Sequence, residues 1–480
     1  MTKGNSFLKK VIGFSIPTWV GFGISFISIP IVTRLFAPSE IGRINFFSTT
    51  LNLLMLITYA GLDQALVRFY KELPGKYNRN EIFTFALSCS LVIGIIVSGI
   101  IMILNDFISL QITGTENLLI GMFLSISLIS NIVLKFLNVY SRIEQDVTLY
   151  AIQAIAIVLV SKLFFIIVAF WNPSHENAIG MMTLGYVLMS IIFLIIKKNS
   201  FSKIKYYDKV SIVALFKFGL PLIPVTVLSW LNNSLPQIML KTYVDYSSIG
   251  IYTNATSIAT TMNLIQTGFS IYWIPFVYSN YQNSKALIKK IHMYITFLMC
   301  ILGILIILFQ DIIYLLLGSE YRSSKIFFPF LLLSPIAFTI AETTGIGIGI
   351  SKKSYLNIIS FLISTSTNLL LAFILIPKIG IEGAAISSGF AAIILLVLKT
   401  FLGERFYKSI TNYFQTFTSI LIIVLAAFAN FFFFEVYIIK YLLFIVLGIV
   451  LIIINKCVVI DLNIMILNEI KSYRDRKNKN

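Results

Sequence analysis

The sequence predicts an all-α membrane protein with about fourteen transmembrane helices, built as two parallel six-helix lobes plus a C-terminal helix pair. Three observations carry this. Of 480 residues, 58% are hydrophobic and 12% charged, with a mean hydropathy of +0.91. A soluble domain carries about 25% charged residues, so this chain cannot cover itself with a water-facing surface. Long apolar runs recur, among them Ser90 to Leu104, Ile179 to Ile196, Leu298 to Phe309 and Ile420 to Phe434. A hydrocarbon core of ~30 Å asks for roughly 20 such residues per helix. The cations, finally, segregate between the connections.

Helices are expected at about 11–35, 41–67, 82–104, 117–139, 147–170, 177–196, 213–240, 248–279, 287–309, 324–350, 354–376, 382–402, 412–434 and 437–460. The breaks between 324–350 and 354–376, and between 412–434 and 437–460, are short. Threaded this way, 28 of the 37 Lys and Arg fall on the side of the N-terminus and C-terminus, 7 on the other, and Lys162 and Lys217 within helices. That asymmetry orients both ends to the cytoplasm. The +17 net charge therefore reads as orientation and contact with anionic lipid, not as a nucleic-acid surface.

Other signals narrow the function. Lys3, Lys9 and Lys10 precede an apolar run that continues to about Leu35, which reads as a first membrane helix and not as a cleavable signal. Cys89, Cys300 and Cys457 lie in apolar stretches without paired spacing, and with two histidines they supply no metal-ligand set. No cofactor is expected. The external connections are short, Asn105 to Glu116 and Phe309 to Ser323 being among the longest, so none can hold a catalytic domain.

The stretch from Lys197 to Lys205 reads as a cytoplasmic linker, so the expected division is 1–200, linker 201–210, 211–408, helices 13 and 14 over 409–461, and a basic tail over 462–480. The halves echo each other. Pro17 precedes Arg34 by 17 residues and Pro224 precedes Lys241 by 17; Ile41-Gly42 follows the first cation and Ile249-Gly250 the second. An even number of helices per half leaves the two in parallel orientation, an arrangement of secondary transporters with the substrate path between repeats.

At these residues the chain resembles the Wzx-like polysaccharide flippases of the multidrug/oligosaccharidyl-lipid/polysaccharide exporter superfamily. The matching stretches are Thr33 to Arg43, Gly61 to Arg68, Phe218 to Pro224, Ile249 to Tyr252 and Trp273 to Phe276. The resemblance spans the chain in length, helix count and spacing. It implies a V-shaped pair of lobes in a bacterial inner membrane. It implies alternating access that carries an undecaprenyl-pyrophosphate-linked oligosaccharide to the outer leaflet, for O-antigen, capsule or exopolysaccharide assembly. Membrane lipids, a coupling proton or sodium ion, and polysaccharide polymerase and chain-length proteins are the partners it implies.

Individual residues fit such a cargo, each beside a plainer role. Lys162 sits deep in an apolar helix, where an unpaired charge costs at least ~2.5–3.5 kcal/mol; it pairs with a substrate phosphate, or reaches an interface. Glu342 lies at depth in a glycine-broken segment and suits a coupling ion or a structural ion pair. Asp63 and Arg68 stand near the inner end of helix 2, five apart and so not stacked; Arg68 meets a pyrophosphate there or anchors the helix. Arg34 and Lys241 occupy matched outer ends, and Lys217 is within reach of the inner interface. Asn232 and Asn233, with Gln237 and the prolines at 221, 224 and 236, are expected to interrupt helix 7. With Tyr272 and Trp273 they suit sugar binding, or else hydrogen-bond helices together.

Three competing readings remain from the residues. An exporter of cationic drugs calls for acidic groups in the cavity, against the deep cations here. A membrane glycosyltransferase or polymerase needs acid/base residues, often on a large loop, and His175 is isolated beside Glu176. A peptidoglycan-precursor flippase has nearly the same chemistry. No Gly-x-x-x-x-Gly-Lys-[Ser/Thr] nucleotide loop is present, so coupling to an ion gradient is expected.

Overall fold

The computed structural model describes residues 3–70, 72–73, 75–203, 208–353 and 355–464, with side chains from Ser15 onward except Val225. The regular structure of these residues is helical. Ten helices are long and apolar enough to cross a membrane, or up to twelve if each of two bent pairs makes one span. The chain is a multi-pass membrane protein. Of the expected basic tail, residues 465–480 lie outside the described residues, as do 204–207 of the linker.

The helices packed by contact form two compact units. The first comprises Met1–Ser257 with Leu317–Tyr321. It contains α1 (Lys3–Leu35), α2 (Pro38–Tyr59), α3 (Leu62–Phe69), α4 (Arg79–Ile103), α5 (Asn105–Thr113), α6 (Leu118–Ile143), α7 (Val147–Lys162), α8 (His175–Ile196), α9 (Lys209–Gly219), α10 (Ile223–Tyr243) and most of α11 (Tyr246–Ala259). Helix starts are capped as polar sequence dictates. Asn78 accepts from the Glu81 N–H at 2.9 Å while Glu81 accepts from the Asn78 N–H at 2.8 Å, a reciprocal capping box at α4.

The expected helix over 41–67 is broken. Ala60 and Gly61 take left-handed backbone (φ 49° and 70°), and α2 and α3 meet at a 50° bend. At Gly61 a side chain has no room, because a Cβ would lie 2.1 Å from the Gly219 carbonyl oxygen. The expected helix over 147–170 stops as α-helix at Lys162 and continues as a 3-10 turn over Phe164–Phe170. Pro221 sits in a 3-10 turn, Leu220–Leu222, that separates α9 from α10. Beyond it α10 runs unbroken through Asn232, Asn233 and Pro236. The interruption expected at the two asparagines is therefore absent. The break falls upstream, where Pro221 lacks the N–H that would continue the ladder.

Asp208 fastens α9 to the loop before α4. Its carboxylate accepts from Ser211 Oγ at 2.5 Å and from the backbone N–H groups of Lys76 at 2.5 Å and Tyr77 at 3.3 Å. The Ser211 hydroxyl first, then those N–H groups, hold the carboxyl below its usual range against the opposing effect of burial.

The second unit comprises Ile258–Leu316 and Arg322–Asn480. Its helices are α12 (Asn263–Asn280), α13 (Lys285–Leu308), α14 (Gln310–Leu315), α15 (Phe328–Thr344), α16 (Ile346–Ile350), α17 (Tyr355–Phe406), α18 (Tyr413–Phe432) and α19 (Tyr437–Ile454). α17 carries 52 residues but leaves helical backbone at Ile379 and Gly380, the latter at φ 61° and ψ −130°, a conformation open to glycine. The chain doubles back there. Ser364 Oγ donates to the Ala391 carbonyl at 2.7 Å, and Gly383 abuts the backbone of Leu375. The two antiparallel legs are the helices expected at 354–376 and 382–402. His292, fully buried on α13, ties three helices together through Thr343 Oγ1 of α15 at 2.8 Å and Thr416 Oγ1 of α18 at 3.0 Å.

Candidate functional site

Two cavities of the first unit lie along α2. The cavity nearer Pro38 holds about 310 Å³. Its wall is unusually polar for a membrane interior: Ser25 and Ser28 from α1, Asn45 and Ser48 from α2, Asn131 from α6, Asn254 and Ser257 from α11. Lys162, the last α-helical residue of α7, lines it. Among the described residues, none forms a hydrogen bond or ion pair with its ammonium group. A lysine so placed needs water or an anion to satisfy it.

The second cavity, nearer Tyr59, holds about 570 Å³. Asn52 and Met55 line both. Its far wall is α10, drawn onto α2 by the hydrogen bond from Thr49 Oγ1 to Gln237 Oε1 at 2.8 Å and from Trp230 Nε1 to the Thr49 carbonyl at 3.2 Å. Lys135 of α6 lines this cavity with its ammonium 3.8 Å from Asp63.

The sequence-derived candidates distribute unevenly over this geometry. Lys162 and Asn233 line cavities, the latter with its amide donating to the Ser229 carbonyl at 3.0 Å. Asn232 lies one residue earlier on α10 and is half-buried. Asp63 is buried and faces Lys135. Arg68 is exposed and pairs with Glu72 one turn on, which fits a surface role at the end of α3. Arg34 and Lys217 are exposed on α1 and α9. Lys241 donates to Gln111 Oε1 of α5.

In the second unit, Trp273 is fully buried, stacks on Phe269 at 5.1 Å and donates to the Glu342 carbonyl at 3.2 Å. A ring packed on its faces cannot offer one to a sugar, so the sugar-binding role expected of Trp273 is corrected to packing. Its neighbour Tyr272 is 66% exposed. The Glu342 carboxylate accepts from Gln266 Nε2 at 2.7 Å and from Ser270 Oγ, both on α12. Among the described residues, no group of three or more His, Cys, Asp and Glu is placed to hold a metal ion.

Sequence reasoning missed Asn45, Ser48, Asn52 and Lys135. The signal was present. Asn45, Ser48, Asn52 and Tyr59 recur at helical spacing along α2, but α2 is apolar enough on average to read as an ordinary span.

The sequence matches the family described as polysaccharide biosynthesis protein over residues 7–277. It is similar to the capsular polysaccharide biosynthesis protein CapF of Staphylococcus aureus, 23% identical over 396 residues that cover 80% of this chain and 95% of that one. Among solved structures, it resembles the lipid II flippase MurJ in an inward closed conformation, with a TM-score of 0.67 at 15% identity, covering 92% of this chain and 99% of that one. It also resembles an inward-facing multidrug resistance MATE family transporter of the MOP superfamily, with a TM-score of 0.53 at 15% identity, covering 82% and 97%. At these identities the structural likeness establishes a shared fold.

Proposed function

This chain belongs to the polysaccharide biosynthesis protein family, transporters of the MOP superfamily, and from that premise we propose that it is a flippase for an undecaprenyl-pyrophosphate-linked oligosaccharide. The cargo moves from the cytoplasmic to the outer leaflet of a bacterial inner membrane, and no covalent bond changes. The observation that carries the reading is Lys162: a cation in a polar cavity, facing no acidic side chain among the described residues. A cationic drug would be repelled there, and a pyrophosphate would be held by charge-assisted hydrogen bonds.

We read the membrane topology as fourteen spans with both ends cytoplasmic. Taking the two legs of α17 separately, and Tyr246 to Asn280 as one further span, brings the twelve helical spans to that number. The lobes that rock about the cargo are 1–200 and 211–408, joined by the linker at 201–210. The last two spans, over 409–461 (α18 and α19), stand outside the two lobes, and the tail over 462–480 meets anionic head groups. Glu342 carries the coupling proton or sodium ion, its carboxylate poised by Gln266 and Ser270. Polysaccharide polymerase and chain-length proteins then receive the cargo.

The test is reconstitution of the purified chain in liposomes with a lipid-linked oligosaccharide, with and without a proton or sodium gradient. Translocation that depends on the chain supports the reading. Translocation of lipid II with none of the oligosaccharide would replace it with a peptidoglycan-precursor flippase. Inertness toward both would overturn it.

A further inference from the structure

Lys135 counts in the sequence among the cations of the inner face, yet it lines the second α2 cavity. Its ammonium stands 3.8 Å from Asp63, at the outer limit of an ion pair. The lysine side chain is 39% exposed and the aspartate 9%. Asp63 is further held by Gln64 Nε2 at 2.9 Å. The carboxylate therefore sits fixed behind the ammonium, and the ammonium faces open space. Lys135 also lies 5.8 Å from the centroid of the Tyr59 ring, which lines the same cavity.

The two cavities differ in this respect. Lys162 has no internal anion, whereas Lys135 has a loosely placed one. Their walls meet at Asn52 and Met55. A phosphate arriving at Lys135 competes with Asp63 for the ammonium, and so binds and releases readily. One arriving at Lys162 meets an uncompensated charge. Passage along a pore requires sites favourable enough to enter and weak enough to leave, and a cation shielded by its own carboxylate is such a site.

We propose that Lys135 and Asp63 form a second phosphate station on α2, weaker than Lys162, with Asp63 as a built-in competitor that sets how tightly the diphosphate is held. The proposal rests on the flippase reading above and adds to it a positioning residue and its antagonist. The ligand chemistry is a diphosphate on an isoprenoid chain.

The experiment uses the full chain purified in detergent and measures equilibrium binding of farnesyl diphosphate. Inorganic pyrophosphate and farnesol separate the head-group and chain contributions. Lys135→Gln is expected to weaken farnesyl diphosphate binding by about tenfold, the worth of one charge-assisted hydrogen bond, and Lys135→Arg to hold it near wild type. Asp63→Asn is expected to tighten it, and Asp63→Asn with Lys135→Gln to show no tightening over Lys135→Gln alone. If Asp63→Asn does not yield folded protein, Lys135→Gln still decides when its thermal midpoint is read beside its affinity: weaker binding at an unchanged midpoint supports the station, and weaker binding only with a lowered midpoint marks a structural lysine and overturns it. Unchanged affinity in Lys135→Gln, or weakened affinity in folded Asp63→Asn, overturns the proposal. Loss of binding in Lys162→Gln with none in Lys135→Gln overturns it and leaves the flippase reading standing. Indifference of both lysine variants removes both.

Discussion

Gly42 and Gly250 pack backbone against backbone. A Cβ on Gly42 would lie 1.7 Å from the Tyr246 carbonyl oxygen, and one on Gly250 would lie 2.0 Å from that of Pro38. These are the glycines of the two Ile-Gly pairs, Ile41-Gly42 and Ile249-Gly250. Three residues beyond each, Asn45 Nδ2 donates to Thr253 Oγ1 at 2.7 Å. The two Ile-Gly segments thus meet across the α2–α11 crossing, beside the Lys162 cavity. Such close approach is open to glycine alone.

Gly250→Val is expected to force this crossing apart. Overpacking at a tight contact costs about 1–3 kcal/mol, so the thermal midpoint of the purified variant should fall. A cysteine placed at Asn45 should react faster with an impermeant maleimide than in the Gly250 parent. An unchanged midpoint and unchanged labelling would mean that the crossing is not closed in solution.

Lys162→Gln is expected to lose at least about tenfold in flipping rate, one charge-assisted contact to the cargo, while Lys162→Arg keeps most of it. The measurement is polymer output in cells that need surface polysaccharide, at matched protein levels, followed by the liposome assay. Normal output from Lys162→Gln would remove this lysine from the site.

Glu342→Gln keeps a group able to accept from Gln266 and Ser270 but cannot ionise. Flipping driven by a gradient is expected to fall toward the rate seen without one, whereas downhill exchange of cargo persists. Equal gradient stimulation in wild type and variant would move the coupling ion elsewhere.

Asp208 gives a pH dependence. Its folded carboxyl titrates below its ordinary value because Ser211 and the Lys76 and Tyr77 N–H groups bind the anion. Its contribution to stability is therefore complete above the unfolded pKa of about 3.9 and is lost as pH falls through the lower folded value. Wild type should exceed Asp208→Asn in thermal midpoint at pH 7, and the gap should close as the buffer is taken below about pH 4. A gap constant from pH 7 to pH 3 would show that the carboxylate charge is not what holds the loop.

Much of this protein was legible in one dimension. Hydropathy is a sum over neighbours in sequence, so the spans, their approximate ends and the cation asymmetry follow from composition along the chain. The Ile-Gly repeat is legible for the same reason: glycine spacing is written locally. Lys162 could be singled out because a lone charge in an apolar helix is a local anomaly with a large energy attached.

Other features were settled by contacts between residues far apart in the chain. Trp273 reads as an aromatic suited to sugar, but it is buried, with Phe269 stacked on it and its N–H donated to the Glu342 carbonyl. Asn232 and Asn233 read as a helix break, yet the backbone continues through both and through Pro236, because asparagine keeps its N–H; the change from α-helix to 3-10 turn falls upstream at Pro221. The polar stripe of α2 acquires meaning only once α1, α6, α7 and α11 surround it. The sequence by itself determined that there are membrane helices, roughly where, and with which charges. The tertiary structure decided which side of each helix faces a cavity, because helix rotation is set by packing partners far along the chain, 208 residues apart for Asn45 and Thr253.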